Sequence, residues 1–137
     1  VHWLNSPRRA VRPATSSGSR LQWHHRASVT AATKRAAQLD LLGNSVLGLL
    51  RACQAAIMAG DDLPADLHND IGQLRAAVDA LADNGIDARE GTATEEPIRR
   101  LAQRAPPGDG AYAPLITSLV RACARDVLRI HGLGEGA

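Results

Sequence analysis

The chain has no phenylalanine, one tyrosine and two tryptophans in 137 residues. Its interior must therefore be built from leucine, valine, isoleucine and alanine, with little aromatic surface for stacking on bases or cofactors. Cysteine occurs twice, at Cys53 and Cys123, which excludes a disulfide scaffold. Each cysteine falls on an apolar seam. The expectation is two small buried hydrophobes in a reducing compartment, with a single Cys53–Cys123 bridge as the alternative. No uninterrupted apolar run approaches the roughly 20 residues of a membrane span. The amino-terminal stretch also lacks the apolar centre of a signal peptide. Methionine occurs once, at Met58, and the first residue is Val1, so a fragment or a processed chain is expected. The length suits one domain with a small core rather than a large enzyme cleft.

Acid is absent from residues 1–39, which hold Arg8, Arg9, Arg12, Arg20, Arg26, Lys34 and Arg35. Residues 40–137 hold nine bases against fourteen acids, a net charge of −5, although the whole chain is at +2. A basic arm on an acidic body is not the footprint of a specific nucleic-acid-binding domain, whose folded surface is itself basic. It suits a segment beside an anionic lipid surface, with Arg8, Arg9 and Arg12 as the contacts. A solvated lead-in is the alternative.

What is present is helical periodicity. Ala36, Leu39, Gly43, Val46, Leu50, Cys53 and Ile57 are spaced alternately three and four apart, a seam on one side of a helix. Leu42, Leu49 and Ala56 widen it. Extended backwards, the seam takes in His25, Val29, Ala32 and Ala36, smaller and more polar, and these four are the candidate oligomer or interdomain surface. The spacing predicts one long helix from about Ser19 to Ala59, whose first half projects or packs on something else, and a close helix–helix approach at Gly43. Gly60 stops it. Asp61, Asp62 and Pro64 open a second helix, with the proline in its first turn, along Leu67, Ile71, Leu74, Val78 and Leu81 to Asn84-Gly85. Thr94 is expected to cap a short third helix ending near Ala105. A fourth runs from about Ala113 to His131 on Ile116, Val120, Cys123, Val127 and Ile130, widened by Leu115 and Leu119, and Gly132 stops it. The fold class is all-α: an antiparallel bundle of about four helices built on one long amino-terminal helix. Residues 1–19 are a basic irregular lead-in, 20–132 the bundle, and 133–137 a flexible tail.

No catalytic, cofactor-binding or metal-ligating set is expected from the residue types and their spacing. His24 and His25 point about 100° apart on a helix and do not share an ion. His68 near Asp61, Asp62 and Asp66 reads as a solvated helix start before it reads as a metal site. Ser45 and Ser118 have no histidine or lysine at a useful spacing. Asp126 and Asp40 read as surface partners for Arg121 or Arg51.

Three stretches resemble the soluble carboxy-terminal region of the FUSC family, the fusaric-acid-resistance and aromatic-acid-exporter relatives. They are Gln38–Asp40 opening the long helix, Leu63-Pro64 opening the hairpin helix, and Leu119–Arg129 at the end. The resemblance covers roughly residues 20–132. It implies a cytoplasmic helical domain of a bacterial inner-membrane exporter of small organic anions, aromatic ones included. Such a domain would be non-enzymatic, with an assembly or regulatory role. Its partners would be its own transmembrane domain and further copies of itself, with anionic lipid near the arm. A stand-alone helical adaptor or small-ligand-binding bundle is the alternative.

Overall fold

The computed structural model describes residues 17–84, 92–107 and 110–133. Four helices account for most of them: α1 Ser17–Met58, α2 Ala65–Asn84, α3 Thr92–Ala102 and α4 Ala113–Ile130. There is no strand among the described residues, so the chain is all-α with a long amino-terminal helix. It divides into two units, Val1–Thr33 and Lys34–Ala137, and the division falls inside α1. Most of the expected lead-in lies outside the described residues.

In the first unit every residue described for burial, from Ser19 to Thr33, is exposed. Thr30 and Thr33 turn their hydroxyls back onto the carbonyls of Arg26 and Val29, each at 2.9 Å. That satisfies a β-branched polar side chain on a helix with nothing packed on it.

The second unit holds the core. Leu42, Leu49, Ala52 and Ala56 of α1 are buried, with Val46 and Cys53 half-buried beside them. The inner ridge is thus the widening row of the sequence pattern rather than its central seam: Leu39, Leu50 and Ile57 are 40%, 59% and 75% exposed. Gly43 is exposed, with no atom within 4 Å of where its Cβ would be. The close approach falls instead at Gly48, whose Cβ would stand 3.6 Å from Cδ2 of Leu119 on α4. The same rotation occurs in α2. Leu67, Asp70, Leu74, Ala77 and Leu81 face inward, while Ile71 and Val78 are half-buried at the edge. From α3 come Ile98, Leu101 and Ala102. From α4 come nine buried residues, Ile116, Val120, Cys123 and Val127 among the most enclosed. Burying each such branched side chain contributes about 1.5–3 kcal/mol. Leu115 is the exception to the expected face, at 49% exposed.

The helix ends follow from local chemistry. Gly60 has φ +68°. Its N–H donates to the Ile57 carbonyl and the Asp61 N–H to the Ala56 carbonyl, both at 3.0 Å. That pair of bonds is a Schellman closure, which needs a left-handed residue at this point. The end of α4 repeats it: Gly132 at φ +73° donates to Arg129 and Leu133 donates to Leu128. Pro64 stands one position before α2 rather than within its first turn, its carbonyl accepting from Leu67 and His68. Asp61 and Asp62 therefore do not cap α2. Asp61 serves α4, accepting the Tyr112 N–H at 3.3 Å. The first turn of α4 holds no acid of its own, so this carboxylate is the negative charge at its amino end. α3 begins at Thr92, two residues before the expected cap, and carries Glu95–Arg99 and Glu96–Arg100 pairs on its outside.

Two alanine substitutions should move stability in opposite directions. Gly60→Ala forces a Cβ into the left-handed region and is expected to destabilise the fold by about 1 kcal/mol. Gly72→Ala sits in open space inside α2 and should stabilise it by roughly 0.5–1 kcal/mol. Urea unfolding of both variants measures the two shifts.

Candidate functional site

Two buried aspartates organise the polar interior of the second unit. Asp126 on α4 accepts the Ser45 hydroxyl at 2.7 Å through Oδ2 and the Arg129 Nη1–H at 3.1 Å through Oδ1. It is not the surface partner of Arg51 or Arg121 that its sequence position suggests. Ser45 bonds directly to a carboxylate, so the pair lacks the intervening base that would make a nucleophile of the hydroxyl. Cys123 lies one turn before Asp126 and is fully buried. Burial, reinforced by the Asp126 charge, pushes its thiol up to about 11. Burial also raises Cys53. Both cysteines are free, and neither is the thiolate that reactive cysteine chemistry requires.

Asp70 on α2 is 3% exposed. Its Oδ2 forms an ion pair with Nε of Arg104 at 2.7 Å, and Nη2 of the same arginine lies 3.4 Å from Asp66. This ion pair stands in a cleft of about 480 Å³. The start of α2 lines one side (Pro64, Asp66, Leu67 and Asp70). Arg100, Arg104, Ala105 and Pro107 line the other, and Thr117 of α4 is also part of the wall. The volume is within the range of small-ligand sites. Its cations are engaged, however: Arg104 with two aspartates and Arg100 with Glu96 at 3.3 Å. Burial raises the Asp70 pKa above its usual 3.8, Arg104 opposes that, and Asp66 adds to it. Beside Thr117 on α4, one turn on, the Nε of Arg121 is buried without a hydrogen-bond partner.

The sequence pattern contains the signal for both aspartates. Asp70 is three residues after Leu67 and four before Leu74, and Asp126 is three after Cys123 and four before Ile130. Each therefore shares the helix face of apolar neighbours. The Arg104 partner, 34 residues along the chain, has no such local signal. His68 is exposed, its Nδ1 lying 3.3 Å from the Pro64 carbonyl. Among the described residues no group of three or more potential ligands could hold a metal ion.

Of the residues singled out as an association surface, His25, Val29, Ala32 and Ala36 are all exposed. Their spacing of four, three and four keeps them on one face of α1. Within the second unit Leu39, Gly43, Leu47, Leu50 and Ile57 form an exposed row on α1, while Val46 and Cys53 turn towards the core. Arg8, Arg9 and Arg12 lie outside the described residues. Although polar residues interrupt it, α1 is long and apolar enough to cross a membrane by length and composition, with 22% of the qualifying stretch buried. No family model, curated protein or solved structure matches the chain.

The pH dependence of stability should carry the mark of Asp70. Its folded pKa is raised, so just above pH 3.8 the folded chain binds more protons than the unfolded one. Ionisation of this group therefore subtracts stability as pH rises through the folded pKa. The difference in unfolding free energy between wild type and Asp70→Asn is expected to move against wild type across that window. Urea titrations at a series of pH values read it directly.

Proposed function

We propose that this chain is an assembly domain whose working surface is the exposed apolar stripe of α1. The observation that carries this reading is the exposure of Leu39, Leu47, Leu50 and Ile57, each 40% or more, along one helix face. Exposed leucine and isoleucine side chains in a row on one helix face mark an association surface rather than scattered surface residues. The resemblance to the FUSC family gives the reading its setting: a cytoplasmic helical domain of an inner-membrane exporter of small organic anions, with an assembly or regulatory role. The basic residues upstream of Asp40 are compatible with a place beside anionic lipid. Light scattering on the purified chain tests the assembly reading, with a mass of at least two copies expected and a strict monomer at high concentration overturning it. The exporter setting is tested separately by the upstream reading frame. Hydrophobic spans there are expected, and their absence removes the setting while leaving the assembly reading.

A second reading is a bundle that binds a small ligand in the cleft around Arg104, where an organic anion would have to displace Asp66 or Asp70 from the guanidinium. Calorimetric titration with aromatic carboxylates is the check. On that reading heat of binding appears and is lost in Arg104→Ala; a flat titration of the wild type excludes it for this ligand class.

A further inference from the structure

We infer that the cleft between α2 and the end of α3 binds a small aliphatic zwitterion of about dipeptide size, an inference that rests on the second reading above and names its ligand class. The two walls are opposite in charge. Asp66 and Asp70, four residues apart on α2, line one side, and Arg100 and Arg104 line the other. These two acids and two bases make one closed pair and leave a second pair unmade. The inner pair, Asp70 with Arg104, is closed at 2.7 Å, and only 5% of the Asp70 side chain is exposed. Among the described residues the outer two, Asp66 and Arg100, are not paired with each other. Arg104 reaches Asp66 at 3.4 Å, and Arg100 is held by Glu96 of its own helix at 3.3 Å. The Asp66 and Arg100 side chains are 86% and 73% exposed.

Ion pairs this exposed are weak, so a ligand can exchange either outer contact at little cost. An ammonium set on Asp66 and a carboxylate set on Arg100 complete the outer pair and leave the buried inner pair intact. A ligand with one charge has no such route. An anion meets two carboxylates on the α2 wall, and a cation meets two guanidiniums on the other. A molecule carrying both charges meets the opposite sign on each wall, and this also fixes which way round it lies. Between the charged groups the lining is Pro64, Leu67, Ala105 and Pro107, with no aromatic side chain. The body that fits is therefore aliphatic rather than a ring that needs stacking. At about 480 Å³ the space is in the lower half of the range for small-ligand sites, which suits a dipeptide better than a nucleotide.

Calorimetric titration of the full-length chain with leucyl-leucine tests this. Two analogues run beside it: N-acetyl-leucyl-leucine, which lacks the ammonium, and leucyl-leucinamide, which lacks the carboxylate. Leucyl-leucine is expected to bind, and each analogue to bind about tenfold more weakly, the loss of one charge-assisted contact. Asp66→Asn should abolish the preference over the acetylated analogue, and Arg100→Gln the preference over the amide. Both substitutions are at exposed positions, so helix content by circular dichroism should match the wild type. An analogue that binds as tightly as leucyl-leucine makes the cleft a site for a single charge, which overturns the inference and leaves the cleft reading standing. Binding of leucyl-leucine that neither substitution changes lies elsewhere on the molecule and also overturns it. Silence with all three peptides, beside heat from aromatic carboxylates that is lost in Arg104→Ala, overturns the inference alone. Flat titrations with the peptides and the aromatic carboxylates overturn both.

Discussion

Burial of α4 is the condition on which the second unit depends. A helix enclosed on most of its circumference needs neighbours that come close, and the chain has no phenylalanine to fill gaps. Closeness is achieved with small residues. Ala56, Ala77 and Ala124 are all at 1% exposure or less, and Gly48 leaves space for Leu119. Cys123 belongs to the same group, as a small apolar residue whose thiol stays protonated. In such a core the loss of a methyl group is felt, because no flexible side chain nearby can move to fill the space.

The two buried aspartates add direction to this packing. Leucine and alanine faces tolerate small rotations, whereas a 2.7 Å bond from Ser45 to Asp126 holds at one rotation of α1 against α4. The ion pair of Arg104 with Asp70 likewise ties the segment after α3 to α2. Neither interaction is a large net source of stability, since desolvation offsets much of the attraction. Breaking one would leave a buried carboxylate short of partners, which is the more expensive condition. Among the described residues, the Nε of Arg121 is the buried side-chain polar atom without a hydrogen-bond partner.

The helices and most of their ends were legible from the residues. Gly60 and Gly132 stop helices because a left-handed position strongly favours glycine, and that requirement is local. Which face of each helix turned inward was less legible. In α1 a row of Leu42, Leu49 and Ala56 competes with a row of Leu39, Leu50 and Ile57 about a quarter of a turn away, and both satisfy helical spacing. In α2 the inner position of Asp70 becomes acceptable only once Arg104 reaches it, a contact far along the chain that no periodicity encodes. The cleft escaped notice for the same reason: its walls come from three separate stretches. The shared face of His25, Val29, Ala32 and Ala36 follows from spacing alone, because all four lie within one helix.

The full exposure of Ser19–Thr33 has a consequence for how α1 forms. An isolated helix of that length is marginal in water, because its first turn must form before any hydrogen bond repays the ordering. The packed part of α1 removes that barrier by supplying a turn already made. The exposed part is therefore added as an extension, residue by residue, from Lys34 backwards. Its amides should open by fraying, with protection from hydrogen exchange declining towards Ser17, while those near Ala56 open only when the whole second unit unfolds. One helix by geometry is thus two regions by cooperativity.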